Sequence, residues 1–369
     1  MNVRILSLEP SYYPRVGGGE KLGHRFNSAF AHQGARVLVL TSVPPISERR
    51  EMDGVIVDYV RAWRFLGFPW FGLSDLVRTV RELRPTFALL YGPSPYDPIA
   101  AIVLRLLRCP FVAVYQADFN ERRLAARLAT WLHNTLALRA AHAIACTTQR
   151  MAERLAARGF STRTILATPG VDERFFEGAI GEGDGAMLFV GALDDGHAYK
   201  RLDLLLDAVA LLSAEDASVR LRVVGDGNRR ALAERRARDL NIVDRVEFLG
   251  AVDDDALARE YSSASVFVLP SPTTQEGFGL VCLEAMASGL PVVCSVNAGA
   301  AGMVVRAPGC AVWNARDLAD LARAIRVARA AAPERRTALR AFARPFSWSA
   351  TAKDVLDGIL RVEGITAAE

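Results

Sequence analysis

What most constrains this chain is an alternation that runs along most of its 369 residues: short apolar runs, each followed by a stretch of helical periodicity. Residues 3–8 form the first run and stop in a Pro- and Gly-rich stretch. After Gly17, Gly18 and Gly19 a helical pattern passes through Leu22, Phe26 and Phe30 to Gly34, and 37–41 is the second run. Runs this uniformly apolar, separated by helix-length sequence, read as parallel strands with crossover helices, because a parallel pair cannot be closed by a tight turn. Further strands are expected over 55–60, 87–90, 111–115, 143–146 and 164–167. At 177–185 the sequence turns to glycine and acid (EGAIGEGDG), a linker composition. The alternation then restarts, with strands over 186–190, 219–224, 246–249, 266–269 and 291–294, helices over 202–213 and 229–240, and a last helix over 350–362. The chain is longer than one hydrophobic core usually supports. It is therefore expected to form two Rossmann-like α/β domains, 1–176 and 177–349, with a ligand cleft between the C-terminal edges of their parallel sheets.

Composition removes several function classes. No apolar run reaches the roughly 18 residues that span a bilayer, and residues 1–8 are too short and too strand-like for a secretory signal; a cytoplasmic protein is expected. The five cysteines (Cys109, Cys146, Cys282, Cys294, Cys310) and five histidines are scattered, which predicts reduced thiols and no zinc site. A net charge of +4 suits phosphate-bearing ligands or an anionic membrane surface. No Lys/Arg stripe is interleaved with stacking aromatics, so nucleic acid is not an expected partner.

The chemistry concentrates after the expected strand 266–269, in PSPTTQEGFGLVCLEAM. A helix must begin near Gly279; small residues at the turn admit close backbone approach, and unpaired first-turn amides favour an anion such as a diphosphate. Glu276 precedes the helix and Glu284 lies in its second turn, so the two carboxylates address different parts of a ligand. A strand-turn-helix with two glutamates is also common in α/β proteins, and Glu284 alone could be a solvated helix residue.

Glu276 and Glu284, with seven residues between them, resemble the E-x7-E motif of retaining glycosyltransferase family 4, which has the GT-B fold. The resemblance covers nearly the whole chain. It includes PRVGGGEKLGHRFNSAFAHQGARVLVLT, TPGVDERFF, FVGAL with YKRLDLLLDA, LRVVGDGNRRALAE, DRVEFLGAV and the closing FSWSATAKDVL, which in the family returns to the first domain, as residues 350–369 are expected to do here. It implies hexose transfer from a nucleoside-diphosphate sugar to a saccharide or lipid-linked hydroxyl, with no cofactor or metal. By resemblance, Glu276 bonds the donor sugar and Glu284 the ribose. Gly277, Phe278 and Gly279 face the sugar through their backbone, and the Leu280 and Val281 amides face the diphosphate. Lys200, helped by Arg201, neutralises the departing phosphate; a solvated helix start is the plainer reading of both. Leu249 and Gly250 frame the base, Gly225 lies in a neighbouring turn, and Gly17, Gly18 and Gly19 form the acceptor and phosphate loop.

Two departures stand out. Ala192 occupies the place of a phosphate-binding arginine, in front of a long loop over 194–199 from which His197 could substitute. Gln116 follows the strand 111–115 where the family commonly has a histidine; it can bond a sugar hydroxyl but cannot shuttle a proton. Asp118 then becomes the candidate for acceptor activation, or a helix cap. Asp253, Asp254 and Asp255 read as a helix cap rather than a metal site. Residues 63–71, with Trp63, Phe65, Phe68, Trp70 and Phe71 among arginines, suggest a peripheral membrane or lipid contact, whereas the arginine-rich pattern over 122–139 reads as an ordinary core helix. GDP-mannose is the first donor suggested. The competing functions are a non-catalytic nucleotide-sugar-binding paralogue, which the Ala192 and Gln116 departures keep open, and a sugar-nucleotide epimerase of the same architecture, against which the E-x7-E context argues.

Overall fold

The computed structural model describes residues 3–12, 18–42, 48–65, 68–92, 94, 96–115, 131–180, 183–315, 317–331, 333–362 and 365, with only the backbone along 62–71. The chain divides into two compact units: residues 1–170 with 348–369, and residues 171–347.

The first unit is built on β1 (Arg4–Glu9), whose apolar side chains are almost entirely buried. It pairs in parallel with β2 (Arg36–Thr41) on one side and β7 (Phe87–Gly92) on the other, Ile5 lying opposite both Val37 and Phe87. Beyond β2 come β4 (Val55–Tyr59) and β3 (Glu48–Met52); beyond β7 come β8 (Phe111–Tyr115), β9 (Ala143–Cys146) and β10 (Thr164–Leu166). Only β3 runs antiparallel. It went unpredicted because ERREM has no apolar run, and its charges suit a sheet edge that must not pair further. β5 (Ala62–Phe65) and β6 (Phe68–Phe71) form a separate antiparallel hairpin in the aromatic segment read as a loop. Residues 66 and 67 and the hairpin's side chains lie outside the described residues, as does 116–130.

The second unit is a six-stranded, wholly parallel sheet. Its strands are β11 (Ala186–Val190), β12 (Arg220–Val224), β13 (Val246–Gly250), β14 (Val266–Leu269), β15 (Val292–Ser295) and β16 (Ala311–Trp313), in the order β13-β12-β11-β14-β15-β16. All but β16 were expected. Three residues give too little apolar run to read as a strand, yet Trp313 is fully buried there.

The division falls at Gly170, not in the glycine-acid run 177–185. Val171 bonds the Phe346 carbonyl at 2.9 Å and bridges to Ser347, while Phe175 and Phe176 enter the second unit's core, so all three residues belong to the second unit. The last helix starts at Trp348, earlier than expected, and joins the first unit: its indole packs edge-on against Phe26 at 5.1 Å, and Gln33 donates to the Ser349 carbonyl at 2.9 Å.

Among the parallel strands of each sheet the order reverses once, between β1 and β7 and between β11 and β14. The carboxyl ends at such a switch point form a crevice, because the chain leaves in opposite directions. At the first, the last residue of β1, Glu9, is buried and accepts from Ser7 Oγ at 2.9 Å and Asn27 Nδ2 at 2.7 Å. Burial, which outweighs those bonds, lifts its carboxyl from the ordinary 4.5 to about 8. Between these values the folded chain holds a proton that the unfolded chain releases, so stability falls as pH rises through the window and levels off above it. The melting temperature is therefore expected to fall from about pH 5 to pH 8, and Glu9→Gln should flatten that fall; a variant with the wild-type slope would contradict the assignment.

Candidate active site

The switch point of the second sheet brings together the loop after β11 and the loop after β14. The first carries Lys200, the last residue of a 3-10 turn (Asp195–Lys200), and the second carries Glu276. Lys200 Nζ donates to Glu276 Oε2 at 2.8 Å, with both side chains about nine-tenths buried. Burial pulls the ammonium pKa down, but the Glu276 carboxylate outweighs it and the net effect is upward, so Lys200 stays charged. The Tyr199 ring adds a cation contact at 5.7 Å. Lys200 is thus not the solvated helix start that its sequence position allowed.

Neighbouring strand ends fix these loops through the main chain. Gly191 N donates to the Val224 carbonyl at 3.0 Å, Leu193 N to Asp226 at 2.9 Å, and Gly225 N to Gly250 at 2.7 Å. Gly225 has φ +132°, and a Cβ there would lie 2.0 Å from the Gly191 carbonyl oxygen, so glycine is what lets these loops approach. Leu249 and Gly250 end β13 beside Arg230, which donates to the Phe248 carbonyl at 3.2 Å and to Glu234 at 2.8 Å.

The loop after β14 is held from the other side. Ser295 Oγ donates to the Ser271 carbonyl at 2.6 Å and Asn297 Nδ2 to the Pro272 carbonyl at 2.7 Å. A Cβ on Gly299 would sit 1.8 Å from the Gly277 carbonyl oxygen, so the two backbones are in contact. Phe278 is buried and Gly277 half-buried. Gly279, in the left-handed region at φ +86°, starts the helix Leu280–Ala287, and no side chain caps it. The Leu280 and Val281 amides are therefore in a first turn without a side-chain cap, where an anion is favoured. In the second turn Glu284 is half-buried and accepts from the Tyr261 hydroxyl at 2.9 Å; it is not a solvated surface residue. Burial, then the Glu284 charge, hold the Tyr261 phenol pKa far above its ordinary value, so it remains a donor.

Glu276, Lys200, Glu284, Gly277, Phe278, Gly279, Leu280, Val281, Gly225, Leu249 and Gly250 are thus all placed at the carboxyl ends of the second sheet. Arg201 turns away: it sits in the left-handed region at φ +55° and binds Asp203 at 2.9 Å. His197 is held by Asp194 at 2.8 Å, and Ala192 is exposed. Both side chains proposed to replace the missing arginine are thus engaged with carboxylates. Asp253 caps the helix Asp254–Ser263 by accepting from Ala256 N at 2.7 Å, and Asp255 pairs with Arg174. Gly18 opens and exposed Gly19 continues the helix Gly18–His32 of the first unit. Gly17, Gln116 and Asp118 lie outside the described residues. Sequence reading missed Tyr261, Ser295, Asn297 and Gly299, which carry no spacing signature of their own.

Two facing loops at a parallel-sheet switch point, one with a buried cation and one leading from a buried carboxylate into an uncapped helix start, define the candidate site of this α/β unit. Comparison with known proteins specifies it. The chain belongs to the glycosyltransferases: residues 16–175 match the pattern described as Glycosyltransferase Family 4, and residues 185–328 that of Glycosyl transferases group 1. A D-inositol 3-phosphate glycosyltransferase of Geodermatophilus obscurus is 36% identical over 51% of this chain and 45% of its own length. A phosphatidyl-myo-inositol mannosyltransferase of Mycobacterium leprae is 38% identical over 30% of this chain and 28% of its own. The chain spans about half or less of these curated relatives. Sucrose-phosphate synthase from Thermosynechococcus elongatus superposes with a TM-score of 0.72 at 20% identity, over 96% of this chain and 98% of that one. HepE of Anabaena, solved with UDP and glucose, gives 0.71 at 17%, over 98% and 100%. The fold is GT-B.

Lys200→Met would leave Glu276 buried without its cation, and removing one partner of such a pair costs about 3–5 kcal/mol. Urea unfolding should show a loss of that order, largely restored by adding Glu276→Leu; a loss below about 1 kcal/mol, the range of an exposed pair, would mean that the pair is not buried in solution.

Proposed function

We propose that this chain is a retaining glycosyltransferase that moves a hexose from a nucleoside-diphosphate sugar to a saccharide or lipid-linked hydroxyl in polysaccharide or glycolipid assembly, without a metal. The observation that carries the proposal is the Lys200–Glu276 pair beside the uncapped helix start at Gly279. A diphosphate at the Leu280 and Val281 amides would share the Lys200 ammonium with Glu276, and the negative charge that develops as it departs would strengthen that contact in the transition state. Glu276, released in part from Lys200, then accepts from donor-sugar hydroxyls, while Glu284, oriented by Tyr261, accepts from the ribose. Gly225, Leu249 and Gly250 border the base.

Gln116 is assigned to a sugar hydroxyl and Asp118 to the acceptor, near the loop of Gly17, Gly18 and Gly19. GDP-mannose is the first donor to try, since the Mycobacterium leprae relative is described as a mannosyltransferase; HepE, solved with UDP and glucose, makes UDP-glucose the second. A peripheral contact of residues 63–71 with the inner face of the cell membrane is part of the proposal. No helix among the described residues is long and apolar enough to cross a membrane. The second reading, a binding paralogue without turnover, is favoured by exposed Ala192.

Sugar-transfer assays with isotopically labelled donor separate these readings. Glu276→Gln is expected to lose at least about 100-fold in kcat, the scale of one lost transition-state donor or acceptor, while nucleotide still binds. Glu284→Ala should instead weaken nucleotide binding by about tenfold, one charged hydrogen bond's worth. Equal effects of both substitutions on both quantities would contradict the division of roles, and binding without turnover by the wild type would favour the paralogue.

A further inference from the structure

The helix Asp97–Leu106, which follows β7, turns Ala100, Ala101 and Leu104 into the core of the first unit. Its other side is apolar as well. Ile99, Ile102, Val103 and Leu106 fall at the i, i+3, i+4, i+7 spacing of one helical stripe, and Ile102 is 55% and Leu106 78% exposed. After Asp97 the helix has a single polar side chain, Arg105. A helix that packs one face on a core ordinarily presents charged and polar residues on the opposite face; here that face is aliphatic.

Residues 131–140, helical with a π turn over His133–Ala137, lie beside this helix and run in the same direction. The two are tied at both ends: Asp97 Oδ2 accepts from His133 Nδ1 at 2.7 Å, and Arg105 Nε donates to the Ala140 carbonyl at 2.7 Å. The second element turns Ala137 and Leu138 inward and leaves Trp131 59% and Leu136 46% exposed. The exposed apolar side chains of both elements therefore share one layer of the unit. Charge is equally one-sided. Neither 98–115 nor 131–152 contains an aspartate or a glutamate, and Arg108 and Arg139 are exposed among the apolar side chains.

We infer that this face docks on an anionic bilayer surface, with Ile102, Leu106, Trp131 and Leu136 entering the headgroup–acyl boundary and Arg108 and Arg139 meeting lipid phosphates. The inference deepens the membrane contact proposed for residues 63–71 by adding a second contact, made by other residues. Three features select a lipid surface over a protein partner. The stripe Ile99–Ile102–Val103–Leu106 offers no polar group that would fix a partner's register. A second copy of the same face would set its arginines against these. A tryptophan among arginines and aliphatic side chains suits a boundary that is apolar on one side and wet on the other.

Flotation of the full chain with vesicles tests this, using phosphatidylcholine alone and equal parts of phosphatidylcholine and phosphatidylglycerol. The proteins compared are wild type, Ile102→Ser with Leu106→Ser, Arg108→Gln with Arg139→Gln, and Trp63→Ser with Trp70→Ser. Melting temperature and sedimentation mass are recorded for each. Wild type should float with the anionic vesicles and much less with the neutral ones. The Ile102/Leu106 variant should bind at least about tenfold more weakly, as expected for two lost aliphatic side chains, and each arginine removed should cost about fivefold. Both variants should keep the wild-type melting temperature, because the side chains replaced are exposed. A folded Ile102/Leu106 variant with wild-type flotation overturns the inference. A loss confined to the Trp63/Trp70 variant also overturns it, while leaving the contact of residues 63–71 in place. Equal flotation of wild type with neutral vesicles overturns the anionic surface. A wild-type dimer that the Ile102/Leu106 variant splits, with no flotation of either, gives the face to a second copy instead. A monomeric wild type that floats with neither vesicle overturns this inference and the contact of residues 63–71 together, and leaves sugar transfer to its own assay.

Discussion

The second unit is organised around one buried ion pair, Lys200 to Glu276. Two opposite charges nine-tenths removed from water are tolerated only if each holds the other. That condition fixes the loop after β11 against the loop after β14 and makes the strand order matter: only at the β11–β14 reversal do those two loops become neighbours. The contacts around the pair answer the same demand. Gly225 lets the loops after β11, β12 and β13 hydrogen-bond side by side, Gly299 lets the loop after β15 touch Gly277, and Ser295 and Asn297 hold two carbonyls of the β14 loop. A charged pair in such a frame is poised to exchange partners when an anion arrives, because Lys200 stays protonated and Glu276 is already positioned.

The first unit places buried ionisable groups at the matching point of its own sheet, with different chemistry. Glu9 is neutralised by burial, which outweighs its bonds from Ser7 and Asn27, whereas Asp97 is met by His133 and a backbone amide. The second sheet meets its carboxylates differently: Lys200 answers Glu276 with a full charge, and the Tyr261 hydroxyl answers Glu284 with a neutral donor. Buried carboxylates and their partners therefore stand where the strands of each sheet diverge, whereas the buried Arg336 guanidinium lies at the amino end of β14, donating to the Ala264 carbonyl at 3.0 Å.

Most of the fold was legible because parallel strands buried on both faces are continuous apolar runs, and nearly every such run became a strand within a residue or two. What escaped had no such run. β3 is almost wholly charged and stands at an edge, β16 is three residues long, and the β5–β6 hairpin mixes aromatics with Arg64 and Pro69. The domain boundary was misplaced because the glycine-acid composition at 177–185 resembles a linker, while Val171, Phe175 and Phe176, upstream of it, were already committed to the second core. At the candidate site, Glu276 and Glu284 were legible from their spacing and family resemblance, and Lys200 from the latter. The partnership of Lys200 with Glu276 was not, because 76 residues separate them. Tyr261, Asn297 and Gly299 act through tertiary contacts that no local pattern encodes, and the engagement of Arg201 and His197 with Asp203 and Asp194 could be seen only in three dimensions.

The central claim is that the crevice at the β11–β14 reversal holds a nucleoside diphosphate. Its most direct test is a melting-temperature titration of the purified chain with UDP, GDP and ADP and their common sugar conjugates, since a ligand that binds only the native state raises the transition by mass action. A dose-dependent rise with one nucleotide family, including its free diphosphate, is the predicted result. No rise with any of them, at concentrations up to the millimolar range, would contradict the claim.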